Sequence, residues 1–310
     1  MTLISDPSTF ILPLAAGGKR FDQAVAELMP EHSRNRIQGW LREGRILIDG
    51  RSVDGKKKAA GGECVTVMPL ALPEQSALLA EDIPLRIVFE DEAILVLDKP
   101  AALVVHPGSG NWSGTLLNAL LHHCPNAREL PRAGIVHRLD KDTSGLLVVA
   151  KTLTAQTALV RQLEARSVKR LYMALARGQV QSGGLVDAPI GRHPTQRIKM
   201  AVVDSGREAR THYTVRERFD KCTLLECSLE TGRTHQIRVH MAHIGHPLVG
   251  DATYARGKTG VALLDAFPRQ ALHAWRLGLI HPESGEPMAW ESPLPEDFSA
   301  LLEDLRHSTP

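Results

Sequence analysis

The sequence predicts a mixed α+β protein, in which a small αα-β domain is followed by a large domain built on a mainly antiparallel sheet. Three observations lead to this expectation. A chain of 310 residues is too long for one average domain. Two amphipathic helical segments precede short strands near the N-terminus, whereas strands and hairpin turns outnumber helices in the rest of the chain. Apolar residues make up 43% of the chain, which is enough for a real core.

The small domain is predicted at residues 17–68, and residues 1–16 before it are interpreted as an untethered leader. Its first helix begins near Phe21 and ends before Pro30, because proline cannot continue a helix. The predicted buried face of this helix carries apolar residues at helical spacing, namely Phe21, Val25 and Leu28.

The second helix of this domain is predicted to follow Ser33, whose hydroxyl makes a suitable N-cap, and to end at Gly44. Its inward-facing residues are Ile37, Trp40 and Leu41. Two short strands around an Asp49-Gly50 turn and a third strand at Cys64–Val67 complete the unit.

A Pro-, Ala- and Glu-rich stretch at residues 69–84 is interpreted as a linker to the large domain at residues 85–310. The strands predicted in the large domain are Arg86–Glu90, Ala93–Leu97, Leu146–Ala150, Leu171–Ala176, Thr211–Phe219 and Thr223–Leu229. One helix is predicted at Thr154–Ala165, and another is predicted to open at Thr234 and to be capped by Gly245.

Charge is distributed unevenly, although 37 Lys and Arg nearly balance 35 Asp and Glu. Between Arg34 and Lys58 there are eight basic residues and three acidic ones. Between Leu72 and Asp98 seven acidic residues face one arginine. A basic block beside an acidic one indicates a local site for a polyanion rather than a uniformly basic surface.

The four cysteines indicate a reducing compartment, because none are spaced as CxxC and they are few for a chain this long. The N-terminus lacks a signal-like apolar core, and no apolar run approaches the roughly 18 residues that a membrane span needs. We therefore expect a soluble, cytoplasmic protein that does not engage a membrane.

The stretch from Gly134 to Leu147 carries the densest chemistry, with two carboxylates, several cationic side chains and two hydroxyls just before an apolar strand. Loops at the mouth of a sheet often display functional groups. A solvated turn, with Asp142 and Thr143 bonded to the local backbone, explains the same residues. The residues alone leave both readings open.

Three blocks, in order along the chain, resemble the motifs of the RluA-type pseudouridine synthases. They are His137-Arg138-Leu139-Asp140 with Thr143-Ser144-Gly145-Leu146, then Lys169–Leu175, then Glu230–His240 continuing through Gly245–Asp251. The small N-terminal unit resembles an S4 RNA-binding domain. Within the family, Ala133–His137 and Arg192–Thr195 most resemble the D-type enzymes that act on large-subunit ribosomal RNA.

The resemblance implies the roles of individual residues. Asp140 is the catalytic carboxylate, and Arg238 pairs with it, which would favour its ionised form. Tyr172 stacks beneath the target uracil or handles a proton. Arg138 holds the site open after the nucleotide leaves its stack. The reaction oxidises nothing and releases nothing, so no cofactor and no metal are expected, despite the histidines that crowd the third block.

The expected partner is ribosomal RNA, naked or in assembling large subunits, bound by a monomeric protein through basic residues of the small domain. These residues are Arg34, Arg36, Arg42, Lys56, Lys57 and Lys58. The expected targets are the clustered uridines of one hairpin loop, helix 69. Two alternatives stay open: the same chemistry on another rRNA site or a tRNA, and a non-catalytic RNA-binding or ribosome-assembly factor. A hydrolase using Asp140 is disfavoured, because no paired acid or metal set accompanies it.

Overall fold

The computed structural model describes residues 7–68, 78–108, 111–196 and 199–308. The chain divides into two compact units, Met1–Ala77 and Leu78–Pro310. Most of the linker predicted at residues 69–84 lies outside the described residues, because the description stops at residue 68 and resumes at residue 78.

Within its described part, the first unit contains two α-helices and one four-stranded antiparallel sheet in the order β1-β4-β2-β3. Its elements are β1 (Ser8–Ile11), a 3₁₀ turn (Leu14–Ala16), α1 (Phe21–Leu28), α2 (Arg34–Arg42), β2 (Ile46–Ile48), β3 (Arg51–Ser52) and β4 (Cys64–Val67). The side-chain oxygen of Ser33 accepts a hydrogen bond from the Arg36 N–H, as expected of the N-cap of α2.

Two expectations for this unit are wrong. Part of the predicted leader is strand β1, which pairs with β4 and places Phe10 opposite Val65. A strand of four residues without clear alternation gives little sequence signal, and its register is set by the β4 edge. Phe21 and Val25 are buried as predicted, but Leu28, predicted to share their face, is 37% exposed because α1 ends there.

The second unit is built around a mixed, mainly antiparallel sheet, which confirms the predicted fold class. Its strands are β5 (Ile87–Glu90), β6 (Ile94–Lys99), β7 (Ser144–Ala150), β8 (Lys169–Arg177), β9 (Gly184–Asp187), β10 (Ile190–Arg192), β11 (Met200–Val202), β12 (Arg210–Arg218), β13 (Cys222–Leu229), β14 (Leu272–Ile280) and β15 (Pro287–Glu291). Across the described residues the main sheet runs β5-β6-β7-β14-β8-β13-β12-β9, with β15 beside β14. The β7–β14 pair is parallel.

Helices and short 3₁₀ turns surround this sheet. They are α3 (Leu116–His123), two 3₁₀ turns (Pro125–Glu129 and Pro131–Gly134), α4 (Leu153–Glu164), α5 (Gln236–His243), α6 (Ala262–Ala266) and α7 (Glu296–Ser308). In the ranges that the structure describes, none of the helices combines the length and apolarity that crossing a bilayer requires.

Strand β7 is buried on both faces, which explains its uninterrupted run of apolar residues. Leu147 and Val149 pack in a cluster that includes residues of α3. Leu146 and Val148 pack in a second cluster that includes residues of α4. The loop that precedes β7 therefore leads into a strand that is packed in the core on both faces.

The start of β7 requires glycine. Gly145 has a φ of +112°, and a Cβ added there would lie 2.2 Å from the carbonyl oxygen of Ala274 on β14. Any side chain would separate the only parallel strand pair of the described sheet. The Ser144 hydroxyl and the His273 ring nitrogen Nδ1, 3.0 Å apart, form a hydrogen bond across the same pair. Gly145, the glycine of the first motif, thus allows β7 to pair with β14 directly after the loop that contains Asp140.

Candidate active site

Asp140 lies in the loop immediately before β7, with its side chain 16% exposed. Arg238 on helix α5 reaches it, and Nη1 of Arg238 donates to Oδ2 of Asp140 at 3.0 Å. These two residues, 98 positions apart in the chain, are thus brought together as the family resemblance implied. The carboxylate is partly desolvated but can still be reached from solvent.

Arg238 is shared with a second carboxylate, Asp251, whose role the sequence did not indicate. The guanidinium donates from Nε and Nη2 to Asp251 at 2.7 and 2.9 Å. Burial disfavours the charge of Arg238, but the hydrogen bonds and charges of Asp251 and Asp140 outweigh burial and raise its pKa. Arg238 therefore stays a cation at 6% exposure, beside an Asp251 that is 1% exposed.

The backbone orients Asp251 for this pairing. Oδ1 of Asp251 accepts hydrogen bonds from the N–H groups of Thr253 and Tyr254, at 2.9 and 3.1 Å. Gly250 precedes it with a φ of +70°, and a Cβ there would lie 1.9 Å from the Arg269 carbonyl oxygen. This turn therefore needs glycine, and it places the Asp251 carboxylate against the Nε and Nη2 atoms of Arg238.

Tyr172 stands on the central strand β8, between Cys227 of β13 and Ala274 of β14. It is 6% exposed. Burial raises the pKa of its phenol, the charge of Asp140 adds to the rise, and Arg170 opposes it. The phenol is therefore protonated and uncharged at neutral pH, because burial and the nearby Asp140 carboxylate both disfavour the phenolate.

Arg138, two residues before Asp140, is exposed at the rim of this site. Burial, together with the charges of Arg138 and Arg132, lowers the pKa of His106 to about 4. His106 is therefore neutral beside two cations. Neither His106 nor Arg132 was predicted to lie near Arg138.

His235 and Tyr254 complete the surroundings of Asp140. The Nδ1 atom of His235 lies 2.8 Å from the Tyr254 hydroxyl, and its Nε2 atom lies 4.0 Å from Oδ1 of Asp140. The hydroxyl also accepts a hydrogen bond from the Met200 N–H at 3.0 Å. The guanidinium of Arg238 sits over the Tyr254 ring, 5.2 Å from its centroid.

The prediction that Thr234 opens the next helix is wrong. Helix α5 begins at Gln236, and the residue before it, His235, has a left-handed backbone with φ of 58°. The side-chain oxygen of Gln236 accepts from the Arg233 N–H at 2.9 Å, which favours a turn over a further helical residue. This turn aims the His235 side chain at Asp140.

Lys99 contacts the backbone of the loop that contains Asp140, and the sequence did not indicate this role. It is fully buried at the end of β6, and its Nζ donates to the carbonyls of Pro100, Leu103 and Lys141 at 2.7, 2.9 and 3.0 Å. Burial lowers its pKa to about 7, against the opposing effect of Asp142 and Asp140. The available signal was a lysine at the end of a largely apolar strand and directly before a proline.

His137 connects the same loop to strand β7. Its Nε2 accepts a hydrogen bond from the Val148 N–H of β7 at 3.1 Å, which requires the neutral ring. Burial lowers the pKa of His137 to about 3, and the charge of Arg170 contributes to the shift.

His137 should make the protein sensitive to acid. An unfolded histidine titrates near pH 6.5, so the unfolded state binds a proton that the folded state refuses down to about pH 3. Its stability contribution is present above pH 6.5 and falls as the pH drops through this window. Urea unfolding at pH 7 and pH 4.5 should show an acid loss about 2 kcal/mol smaller in His137→Gln than in wild type. The exposed His307→Gln is the control, and equal acid losses in all three proteins would contradict the expectation.

The histidines of the third block do not gather as a ligand set. The two ring nitrogens of His240 bond to the Thr211 hydroxyl and the Ala188 carbonyl oxygen, and the ring of His246 bonds to the Arg177 carbonyl oxygen. Over the described ranges, the ligand atoms close enough to share one ion belong to Glu90, His123 and Cys124. Glu90 there already bonds Lys151 at 2.9 Å. The expectation that the protein needs no metal stays a prediction.

Apart from Arg138, the basic residues predicted to contact RNA lie in the first unit. Arg34 is committed to a structural ion pair with Asp22, which is fully buried and also bonds Arg20 and Gln38. The other members of the set are exposed or half-buried and keep their charges at the surface, namely Arg36, Arg42, Lys56, Lys57 and Lys58.

Known proteins resemble both units. The RNA pseudouridylate synthase family matches residues 93–243, and the S4 domain matches residues 19–63. A "Ribosomal large subunit pseudouridine synthase D" of Nitrosomonas europaea is 56% identical over 299 residues, covering 96% of this chain and 87% of that protein. The protein of the same name from Pseudomonas aeruginosa is 56% identical over 303 residues, covering 95% and 94% of the two chains.

A solved structure supports the likeness of the larger unit. Human RNA Pseudouridylate Synthase Domain Containing 1 superposes with a TM-score of 0.56 at 28% identity, covering 74% of this chain and 98% of that one. The match of fold accompanies the match of sequence.

Proposed function

Because this chain belongs to the RNA pseudouridylate synthase family and carries an S4 domain, we propose that it isomerises uridine in large-subunit ribosomal RNA, with Asp140 as its catalytic carboxylate. The observation that carries the assignment to Asp140 is its pairing with a buried arginine. Arg238 holds one oxygen of Asp140 at 3.0 Å, and the side chain stays 16% exposed at the mouth of the sheet.

The proposed chemistry needs one carboxylate and a base platform. The bond from C1′ to N1 breaks, the uracil turns over, and C5 bonds to C1′ while the C5 proton is lost and N1 gains one. Asp140 acts beside the sugar and base, whether by covalent attack or by moving a proton. Tyr172 lies below the target uracil as a protonated aromatic face, and Arg138 occupies the place that the flipped nucleotide leaves.

The substrate assignment rests on the relatives and on local resemblance. Relatives above 50% identity are named for the large ribosomal subunit. Ala133–His137 and Arg192–Thr195 resemble the D-type enzymes, so the clustered uridines of the helix 69 hairpin loop are the proposed targets. The enzyme is proposed to act as a monomer in the cytoplasm, on naked RNA or on assembling subunits.

A non-catalytic RNA-binding or assembly factor would also carry an S4 domain. Such a protein gains nothing from holding Asp140 and Asp251 on one buried arginine, since partly buried ion pairs cost desolvation energy. The same chemistry on another rRNA site or on a tRNA is distinguished from the proposal by comparing which RNA is converted fastest.

Purified protein incubated with RNA hairpins tests the proposal. We expect pseudouridine in the helix 69 hairpin of large-subunit rRNA, and rates at least roughly 100-fold lower on unrelated rRNA hairpins and on tRNA transcripts. Faster conversion of a tRNA would mean that tRNA, and not the helix 69 hairpin, is the substrate. No conversion of any RNA would favour the binding factor.

The first unit should bind RNA by charge without affecting the chemistry. Reversing Arg36 and Arg42 to glutamate should weaken binding and reduce the slope of log affinity against log salt by about one unit per lost phosphate contact. Arg34 is left intact, because its reversal would set an acid against buried Asp22. Binding isotherms across a salt series give the slope, and single-turnover rates with saturating enzyme should stay within about twofold of wild type.

The matched control reverses Arg161 and Lys221, two exposed cations of the second unit, and has the same net charge change. An unchanged salt slope with a collapsed maximal rate would instead mean that the first unit helps to build the active site.

A further inference from the structure

The two oxygens of Asp140 have different surroundings. Oδ2 accepts from Arg238 at 3.0 Å, whereas Oδ1 faces Nε2 of His235 across 4.0 Å. That gap is too long for a direct hydrogen bond. It is right for one shared oxygen, which could lie about 2.8 Å from both atoms. The His235 side chain is 21% exposed, so the gap is reachable from the site.

The tautomer of His235 follows from its partners. Burial lowers the pKa of His235 and the charge of Arg238 adds to this, against the opposing effect of Asp140, so the ring is neutral. The Tyr254 hydroxyl accepts from Met200 N–H and can donate to Nδ1 at 2.8 Å. The opposite tautomer would turn the Nε2 lone pair towards the Asp140 carboxylate, which is electrostatically unfavourable. Nε2 of His235 therefore carries the proton and points it into the gap.

A group that fits this gap must accept from Nε2–H and donate to a carboxylate oxygen. A carbonyl of uracil cannot do so, because it has no proton to donate. The N3–H edge of uracil lies away from C1′, where the glycosidic bond breaks. The ribose 2′-hydroxyl is both donor and acceptor, and it is attached to the carbon next to C1′.

We propose that His235 binds the ribose 2′-hydroxyl of the target uridine, which in turn donates to Oδ1 of Asp140. This inference rests on the proposed function and assigns a sugar-binding residue to it. The contact fixes the reacting sugar against Asp140, and it selects RNA over DNA at the target position. Tyr254 is a positioning residue that acts through the imidazole.

Competition between ribose and deoxyribose hairpins tests the contact. RNA hairpins with uridine or 2′-deoxyuridine at the target position compete with a labelled substrate, so each gives an inhibition constant whether or not it reacts. Wild type should bind the 2′-deoxy hairpin roughly tenfold more weakly than the ribose hairpin, because two hydrogen bonds are lost. Asparagine suits the left-handed backbone at position 235 but is too short to reach the sugar. The His235→Asn variant should therefore bind the ribose and 2′-deoxy hairpins with inhibition constants within about twofold of each other.

Two further variants keep the test decisive. His243→Asn changes an exposed histidine of α5 and should keep the wild-type ratio. Tyr254→Phe leaves His235 in place but releases its ring, and should give an intermediate ratio of roughly threefold.

An equal preference for the ribose hairpin in wild type, His235→Asn and Tyr254→Phe would overturn the contact. That result is distinct from failure of the proposed function, in which wild type would form no pseudouridine in the labelled substrate.

Discussion

Replacing Asp140 by asparagine should abolish pseudouridine formation, with a loss of at least roughly 10³-fold in the single-turnover rate. Asparagine keeps the shape of the side chain and can still accept from Arg238, but it is neither a base nor a nucleophile. Because Asp140 is partly exposed and lies in a loop, the melting temperature and the RNA affinity should change little. Rapid-quench assays with excess enzyme measure the chemical step directly.

Asp142→Asn is the matched control, since it makes the same change two residues further along the loop. The contact that Asp142 makes with Arg269 uses its backbone carbonyl, at 3.1 Å, which the substitution leaves in place. Its rate should stay within about tenfold of wild type. A few per cent of wild-type activity in Asp140→Asn would point to a different catalytic carboxylate.

Arg238→Lys should cause the largest combined loss of stability and rate. A lysine is a single charge and cannot donate to Asp251 from two directions while also reaching Asp140. Asp251 is 1% exposed, so a carboxylate would be left poorly paired in the core. We expect a loss of roughly 3 kcal/mol in the free energy of unfolding, and a rate lower by roughly 100-fold at saturating enzyme.

Urea unfolding and single-turnover kinetics on the same preparations measure both effects. Arg216→Lys is the control, because Arg216 makes an exposed ion pair with Glu226 and the same substitution there should cost less than about 1 kcal/mol. Wild-type stability with wild-type kinetics in Arg238→Lys would contradict the role of the shared arginine.

The sequence predicted the parts of the site that lie in contiguous motifs. Asp140, Tyr172 and Arg238 were each named from a short block that resembles a family signature, and the structure brings Asp140 and Arg238 into contact. Strand β7 was equally readable, because a strand buried on both faces is uniformly apolar. Local pattern was therefore enough to predict the pairing of Asp140 with Arg238 and the strand that follows Asp140.

The remaining contacts depend on partners distant in sequence. Lys99 bonds the carbonyl of Lys141, 42 residues away, and no local pattern reveals which carbonyls a buried ammonium will find. His235 looked like a helical histidine, yet the preceding turn takes it out of α5 and sets it against Tyr254. Tertiary packing decided both positions, as it decided that β4 pairs with β1.

Mapping pseudouridines in ribosomal RNA tests the central claim most directly. Ribosomal RNA would be sequenced at single-nucleotide resolution from a deletion strain and from the same strain expressing wild type, Asp140→Asn or Asp142→Asn at equal protein levels. We expect the pseudouridines of the helix 69 loop to be absent after deletion, restored by wild type and Asp142→Asn, and still absent with Asp140→Asn. Full modification in the deletion strain, or its restoration by Asp140→Asn, would contradict the claim that this chain modifies that loop through Asp140.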